Sequence, residues 1–449
     1  MINQTHTSLQ VDMNATGISR LSGSWDCKLA WISRFAVASY LVFYVLVPDF
    51  YVIGPALLLL MALFGCRWRE ILGGIDTQSQ WLAGVFLLYF LGQAVPLIFH
   101  GEDVSEFDLS TRYIAAVLIL LFVLKYPLSA RGFLSLAAIG SLAAGAYAFY
   151  QAQFIGASRV SAFDNPIHYG NGAMALALLS LTGVGWAAKQ KYHYCWIGLF
   201  LAGVVGGGYA SLVSGTRSGW IAVPFIAVIA VYVFWQPIFR KKLISFVLLS
   251  LVVVGFSALL QVDMVEKRAQ VAVDEFVDYY EEGRNGTSVG LRLDMWKAGM
   301  TAFIRNPLIG SGPGGTDAVI AELVADQRIH PAVENFRHLH NQYVDVMARY
   351  GLIGLTCYLM LLVVPFILFL QRARSESASV QALALGGSFF VALHAIVNLT
   401  QSMLERNIGV MMFAFMVIFI WGAIRAEESA VRNRKDQECF NGSRDVDMD

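Results

Sequence analysis

Residues 407–424 read NIGVMMFAFMVIFIWGAI, a stretch without one charged side chain. A run of this length is close to the roughly 20 apolar residues that a helix needs to cross a bilayer. LISFVLLSLVVVGFSALL, at 243–260, is a second such block. Composition agrees with them. The 449-residue chain is 57% hydrophobic and only 14% charged, with a mean hydropathy of +0.58. A soluble domain carries nearer a quarter charged residues. The sequence therefore predicts an all-α polytopic membrane protein.

Apolar run length gives about 12 candidate transmembrane helices. They lie near 29–48, 50–66, 81–99, 112–127, 132–155, 171–188, 194–213, 219–236, 243–260, 344–370, 380–399 and 407–424. The second and fourth are short enough to be tilted or partly re-entrant. Nine helices thus fall in 29–260 and three in 344–424, between an N-terminal tail, 1–28, and a C-terminal tail, 425–449. The first 28 residues are polar and lack an apolar core, so no cleaved signal peptide is expected.

Basic residues set the expected orientation. One set of short loops holds Arg67, Arg69, Lys125, Arg131, Lys189, Lys191, Arg240, Lys241, Lys242, Arg372 and Arg374. The alternate loops hold one arginine each: Arg112, Arg159, Arg217 and Arg406. The positive-inside rule then puts both termini in the cytoplasm. It also puts one long segment, 261–343, on the outer face. That is far beyond the usual 2–8 residue connection between helices. Its sequence looks structured. MVEKRAQVAVDEFVDYYEEG (264–283) and GLRLDMWKAGMTAFIRNP (290–307) have helical spacing, and NPLIGSGPGG (306–315) reads as a Gly/Pro turn. None of the five cysteines lies in this loop, and none shows metal-ligand spacing. The net charge is zero, so nothing points to nucleic acid.

The outward-facing polar residues are the candidates for chemistry. Arg217, in VSGTRSGWIA, sits in a very short connection and must lie at or just inside the interface. Such a charge snorkels, pairs or binds something. Gly215, Ser218 and Gly219 leave room around it for an anion. Arg292 stands four residues before Trp296, on one helical face, either stacked on the indole or reaching the same anion. A guanidinium suits that task because its planar fork binds phosphate oxygens and keeps its charge. In FRHLHNQYVDV (336–346), Asn341 is a good helix cap, which puts His340 at a helix N-terminus beside Arg337 and His338. The positive end of the helix and those neighbours are expected to lower the His340 pKa. A neutral imidazole there is a candidate general base, or an orienter, for a hydroxyl. The alternative is that both imidazoles are ordinary loop residues.

Other groupings were weighed. His330, His338 and His340 match no standard zinc spacing, so no metal is expected. SGPGG (311–315) lacks the Lys-Ser/Thr of a phosphate loop and reads as a plain turn. Asn165, His168 and Asn171 are expected in an outward loop with Arg159, lining the same cavity or simply packing it. Glu405 with Arg406 reads as a local interfacial pair.

RLDMWKAGMTAFIRNPLIGSGPGG and HLHNQYVDVMARYGLIGL resemble the O-antigen ligase family, which shares a domain with oligosaccharide polymerases. The matching features are Arg292-x-x-x-Trp296, the Asn-Pro-Leu-Ile-Gly-Ser-Gly turn, His340-Asn341, and the Gly351–Gly354 pair. SGTRSGW around Arg217 resembles the family's outward arginine element, and the similarity runs over roughly residues 160–425. The resemblance implies a GT-C-like integral-membrane glycosyltransferase of the bacterial inner membrane, with its active site facing the periplasm. It implies a donor, O-antigen on undecaprenyl pyrophosphate, and an acceptor hydroxyl on lipid A–core, with no metal, nucleotide or other cofactor. Arg217 and Arg292 would hold the pyrophosphate, and His340 would activate or orient the acceptor. Arg337, His338, Asn341, Arg159, His168 and Trp296 would line the substrate site. Direct attack by the acceptor would invert the anomeric centre. The extra histidine, His338, leaves the choice of base open. An O-antigen polymerase or a protein O-oligosaccharyltransferase fits the same motifs. From another class, a flippase or transporter of an anionic lipid remains, although no internal repeat points to it.

Overall fold

A computed structural model describes residues 24–65, 68, 75–162, 165–234 and 286–446, with a few positions between 270 and 279, and side chains through Arg434. Among the described residues every regular element is helical. In chain order these are α1 (Ser24–Phe43), α2 (Phe50–Gly65), α3 (Thr77–His100), α4 (Asp108–Lys125), α5 (Ala130–Tyr150), α6 (Pro166–Ala187), α7 (His193–Val213) and α8 (Arg217–Phe234). After them come α9 (Ser288–Arg305), α10 (Gly312–Ala325), α11 (Gln342–Leu370), α12 (Ala378–Val397) and α13 (Asn407–Val446). Eight of the helical segments are long and apolar enough to cross a membrane. Helices α1 and α6 have the length with more polar and small residues, and α2 is shorter. The block at 243–260 lies outside the described residues.

The uncharged stretch at 407–424 is the centre of the molecule. In α13 94% of the most apolar window is buried inside the protein, against 39% in α8. A helix that is apolar on every side suits either lipid or a protein interior, and here neighbouring helices cover it. The helix continues through Val446, past the end of the apolar stretch. Around it, small residues let backbones approach. A Cβ on Gly145 of α5 would stand 2.4 Å from the Gly206 Cα of α7. Close contact through glycine is a common way for helices to associate where lipid gives no hydrophobic drive.

A smaller apolar core joins α9, α10, a 3-10 turn (Pro331–Asn335) and the first turns of α11. Met295, Ala298, Ala302, Val319, Ile320, Leu323, Leu339 and Ala348 fill it. Helix α9 matches the amphipathic stretch expected at 290–307. Helix α10 does not match its reading, because its first residues belong to the segment taken as a plain turn. Pro313 at its start explains why: the missing N–H is harmless in a first turn and its fixed φ suits a helix.

This outer unit is joined to the bundle through backbone. Helix α11 is broken at Gly351, where φ is +63° and ψ −158°. The freed amides of Leu352 and Ile353 donate to the carbonyls of Pro307 (2.9 Å) and Leu308 (3.1 Å). A Cβ on Gly351 would lie 2.5 Å from the Gly310 amide nitrogen, and one on Gly310 2.4 Å from the Tyr350 amide nitrogen. Both glycines are thus required by the crossing of two main chains, and Gly310 is itself at φ +72°. The turn 306–311 and the Gly351 break are two halves of one joint.

Candidate functional site

The segment Phe336–Asn341 lies over that joint and is held at Leu339. The Leu339 side chain is buried against Gly299 of α9, where a Cβ would come within 2.5 Å of it. Its carbonyl accepts from Trp296 Nε1 (3.1 Å), and its amide donates to the Asp345 carboxylate (2.9 Å). The flanking imidazoles of His338 and His340 are half-buried and meet edge to face at 4.4 Å. His340 has φ +52°, a left-handed backbone that few non-glycine residues adopt. Asn341 then caps α11, accepting from the amides of Tyr343 (3.0 Å) and Val344 (3.3 Å). A strained residue fixed on both sides marks a position that its surroundings over-determine.

Cations surround this segment. Burial lowers the Arg292 pKa and the charge of Arg217 lowers it further, against Glu275. Burial also lowers the pKa of His340. A hydrogen bond to the Gln401 side-chain oxygen opposes the shift, and Arg292 and Arg406 add to it. His338 is held at about 4 by burial, by His340 and by Arg406. Arg217, Arg292, His340 and Arg406 are therefore electrostatic neighbours contributed by α8, α9, the loop before α11 and the loop before α13. Among the described residues no carboxylate lies within ion-pair distance of Arg217 or Arg292. Two imidazoles kept neutral beside three guanidinium groups form a place for an anion and a proton acceptor.

Beneath the loop is a buried polar network. Arg349 reaches Glu405 (3.0 Å), Asp345 (3.5 Å) and the carbonyl of Arg337. Ser402 donates to Asp345. Gln342 donates to Glu405 (3.1 Å) and accepts from the amide of Leu404 (2.8 Å). These bonds tie the segment 336–342 to the segment 398–406. Glu405 is thus engaged by Arg349 and Gln342, where the sequence reading had only its neighbour Arg406. Residues 56 positions apart in the chain carry no local signal of such a pairing.

The other expected residues fall in varied places. Arg337 is exposed, and its side chain is not among the groups that shift His340. Arg159 donates to the carbonyl of Ser214 (2.8 Å), one turn from Arg217. His168 and Asn171 lie within α6, not in a loop, because Asn165 caps that helix and Pro166 starts it. Asn171 meets Ser218 at 3.3 Å, beside Arg217. His168 is buried in the bundle near His394. His330 caps its own 3-10 turn, accepting from Ala332 (3.1 Å). The amide of Gly314 donates to Glu102 (2.9 Å), so a carboxylate of the chain itself already fills the start of α10. Gln401 and Arg406, which touch or influence His340, were not singled out by sequence as site residues. The single outward arginine in the loop before α13 was the one available signal.

A multi-pass helical membrane protein with a guanidinium-rich, imidazole-bearing site at one end of the bundle is the class that fold and geometry define. The family model for O-antigen ligase matches residues 202–359, a segment holding Arg217, Arg292, Trp296, His338 and His340. That match supports the resemblance to the O-antigen ligase family that the sequence motifs led us to expect. It is 25% identical over 180 residues to the O-antigen ligase of Escherichia coli K12, covering 40% of this chain and 42% of that one. A Haemophilus influenzae Rd protein described as uncharacterized is 26% identical over 349 residues, 77% of this chain and 86% of its own.

Proposed function

We propose that the protein is an O-antigen ligase. It transfers O-antigen from undecaprenyl pyrophosphate to a sugar hydroxyl of lipid A–core, on the periplasmic face of the bacterial inner membrane. Both termini are cytoplasmic in this reading, and the bundle is a GT-C-like arrangement of about 12 spans. The observation that carries the proposal is the juxtaposition of Arg217, Arg292 and Arg406 with the half-buried imidazole of His340.

The chemistry follows from those groups. The acceptor oxygen attacks the anomeric carbon, and the bond from that carbon to the pyrophosphate oxygen breaks with inversion. The bonding pair leaves on the pyrophosphate, where fixed guanidinium charge meets the developing anion. The hydroxyl proton passes to His340. With the Gln401 side-chain oxygen Oε1 3.2 Å from Nδ1, the proton of the neutral ring sits on Nδ1 and the lone pair on Nε2. Burial and the neighbouring cations keep that lone pair free near neutral pH. The guanidinium groups do the electrostatic work that a divalent cation does in other pyrophosphate chemistry, so the reading is metal-independent. Trp296 and Asn341 hold the loop, and His338 and Arg337 lie at its rim. Arg159 shores up the Arg217 turn.

The test mixes purified protein, lipid-linked O-antigen and rough lipopolysaccharide in EDTA without nucleotide. A laddered lipopolysaccharide product, abolished by His340→Ala in folded protein, is the expected result. A donor that lengthens while the lipopolysaccharide stays bare would make the protein a polymerase. Sugar appearing on protein would make it an oligosaccharyltransferase. Donor moved between leaflets without bond breakage would make it a transporter.

A further inference from the structure

We infer that Gln401 is a positioning residue for His340: its amide fixes which imidazole nitrogen is free to take a proton. The inference rests on the reading of His340 as the proton acceptor, and deepens it. Gln401 lies outside the matched family segment and reaches the site only through the fold.

Three observations carry it. The Gln401 Oε1 stands 3.2 Å from His340 Nδ1. An amide oxygen only accepts, so it selects the ring form with hydrogen on Nδ1 and leaves Nε2 basic. Next, Gln401 is itself immobilised. It is 9% exposed, and its main-chain carbonyl accepts from the amide of Gln342 (3.2 Å). Its successor Ser402 is bound to Asp345, and Glu405 is bound to Arg349. Finally, the His340 backbone is in the left-handed region, so the ring direction is set by a conformation that the loop enforces. The buried Asp345–Arg349–Glu405 network thus holds the donor side and the acceptor side of one hydrogen bond.

The residue type matters as well. The charges acting on His340 are Arg292 from α9 and Arg406 from the loop before α13, and the His338 ring meets it from its own loop. A neutral amide orients the ring among these cations without adding charge. A carboxylate at the same place would favour imidazolium and tie up the base.

The experiment compares the wild type with Gln401→Ala and Gln401→Glu, as full-length protein in the ligation assay, across pH 5 to 9. Gln401→Ala lowers kcat by about tenfold or more, with little change in the KM of either substrate. Gln401→Glu keeps more activity than Gln401→Ala at high pH, and its acidic limb moves up by about 1–3 units. That movement is one that a merely structural role would not produce. A Gln401→Ala rate within about twofold of wild type would overturn the inference, as would superimposable pH profiles for wild type and Gln401→Glu. If Gln401→Ala does not fold, the Gln401→Glu profile alone decides. His340→Ala separates the two levels. Wild-type activity in that variant removes the proposed base itself, whereas its loss beside an unaffected Gln401→Ala removes only the role of Gln401.

Discussion

Both ends of the bundle are rich in arginine, and they use it in opposite ways. At the end away from the outer loop, Arg372 pairs with Glu428 (2.7 Å) and Arg425 with Asp76 (3.2 Å). Both guanidinium groups lie over the Trp421 ring, at 4.6 and 5.8 Å. The indole donates to Ser79 (2.9 Å), whose hydroxyl donates in turn to Asp76 (2.6 Å). The cavity of about 550 Å³ at this end is lined by Asp76, Arg372, Arg425 and Glu428, which already satisfy one another. At the end that carries the loop, the charge of Arg217 acts on Arg292 with no carboxylate at ion-pair distance of either among the described residues. Like charges held close together raise the energy of the free protein, and an anionic ligand relieves that cost. An arginine's pairing therefore says more about its role than its presence at an interface does.

Removing one cation from each end tests whether its pairing decides an arginine's role. Arg217→Ala or Arg292→Ala is expected to lower transfer by about 10²–10³-fold, the usual loss for one fixed donor at a developing anion. The unfolding midpoint should stay near wild type, since neither side chain holds a carboxylate in place. Arg372→Ala should leave transfer per folded molecule within about twofold. Equal loss of transfer from both ends would mean that the cations of the two ends act together, and the distinction drawn here would go.

The two ends should also differ in what they contribute to stability. Arg372→Ala takes a donor from Glu428, which keeps Arg425, and also from the Gln78 amide oxygen and the Leu368 carbonyl. Partly buried acceptors left without a donor cost about 1–3 kcal/mol. Thermal unfolding in detergent, with transfer assayed at a temperature where both proteins are folded, separates the two effects. An unchanged midpoint for Arg372→Ala would show that the inner pairs are ornamental.

The sequence disclosed the parts of this molecule whose signal is local. Run length placed the helices, since α11 and α13 begin within two residues of the apolar blocks that announced them. Asn341 was readable as a cap because its side chain serves amides two and three residues on. Arg217, Arg292 and His340 could be named as candidates because each sits where a charge or an imidazole is unusual. What joins them was not legible. The Arg349–Glu405 pair, the Gln401–His340 bond and the docking of Pro307 onto Leu352 link positions far apart in the chain. Helix α10 was missed because Gly and Pro dominate its first turn, and those residues punctuate turns more often than they open helices.

The smallest effect separates the two ends by pH. His338 is held at about 4, chiefly by burial, and His340 is lowered by burial and by Arg292 and Arg406. As pH falls below the ordinary histidine value near 6.5, the unfolded chain takes up protons that these folded imidazoles refuse. Stability therefore declines from about pH 6.5 towards 4, and the outer loop contributes to that decline. The inner end behaves differently. Burial pushes the Asp76 carboxyl up, but the Ser79 hydroxyl and amide, Arg425 and the Gln78 amide outweigh it and hold it below its usual range. Its contribution is present above the ordinary carboxylate value near 3.9 and is lost only as pH falls through a lower one. Unfolding midpoints at pH 7, 6, 5 and 4.5 should fall less steeply in His338→Ala than in wild type, whatever the offset at pH 7. Asp76→Asn should lower the midpoint at every pH and leave the slope over this window as it was. A His338→Ala slope equal to that of wild type would mean that the His338 ring takes a proton as readily in the folded loop as in the unfolded chain. The cations around it would then be too well screened to act as a cluster.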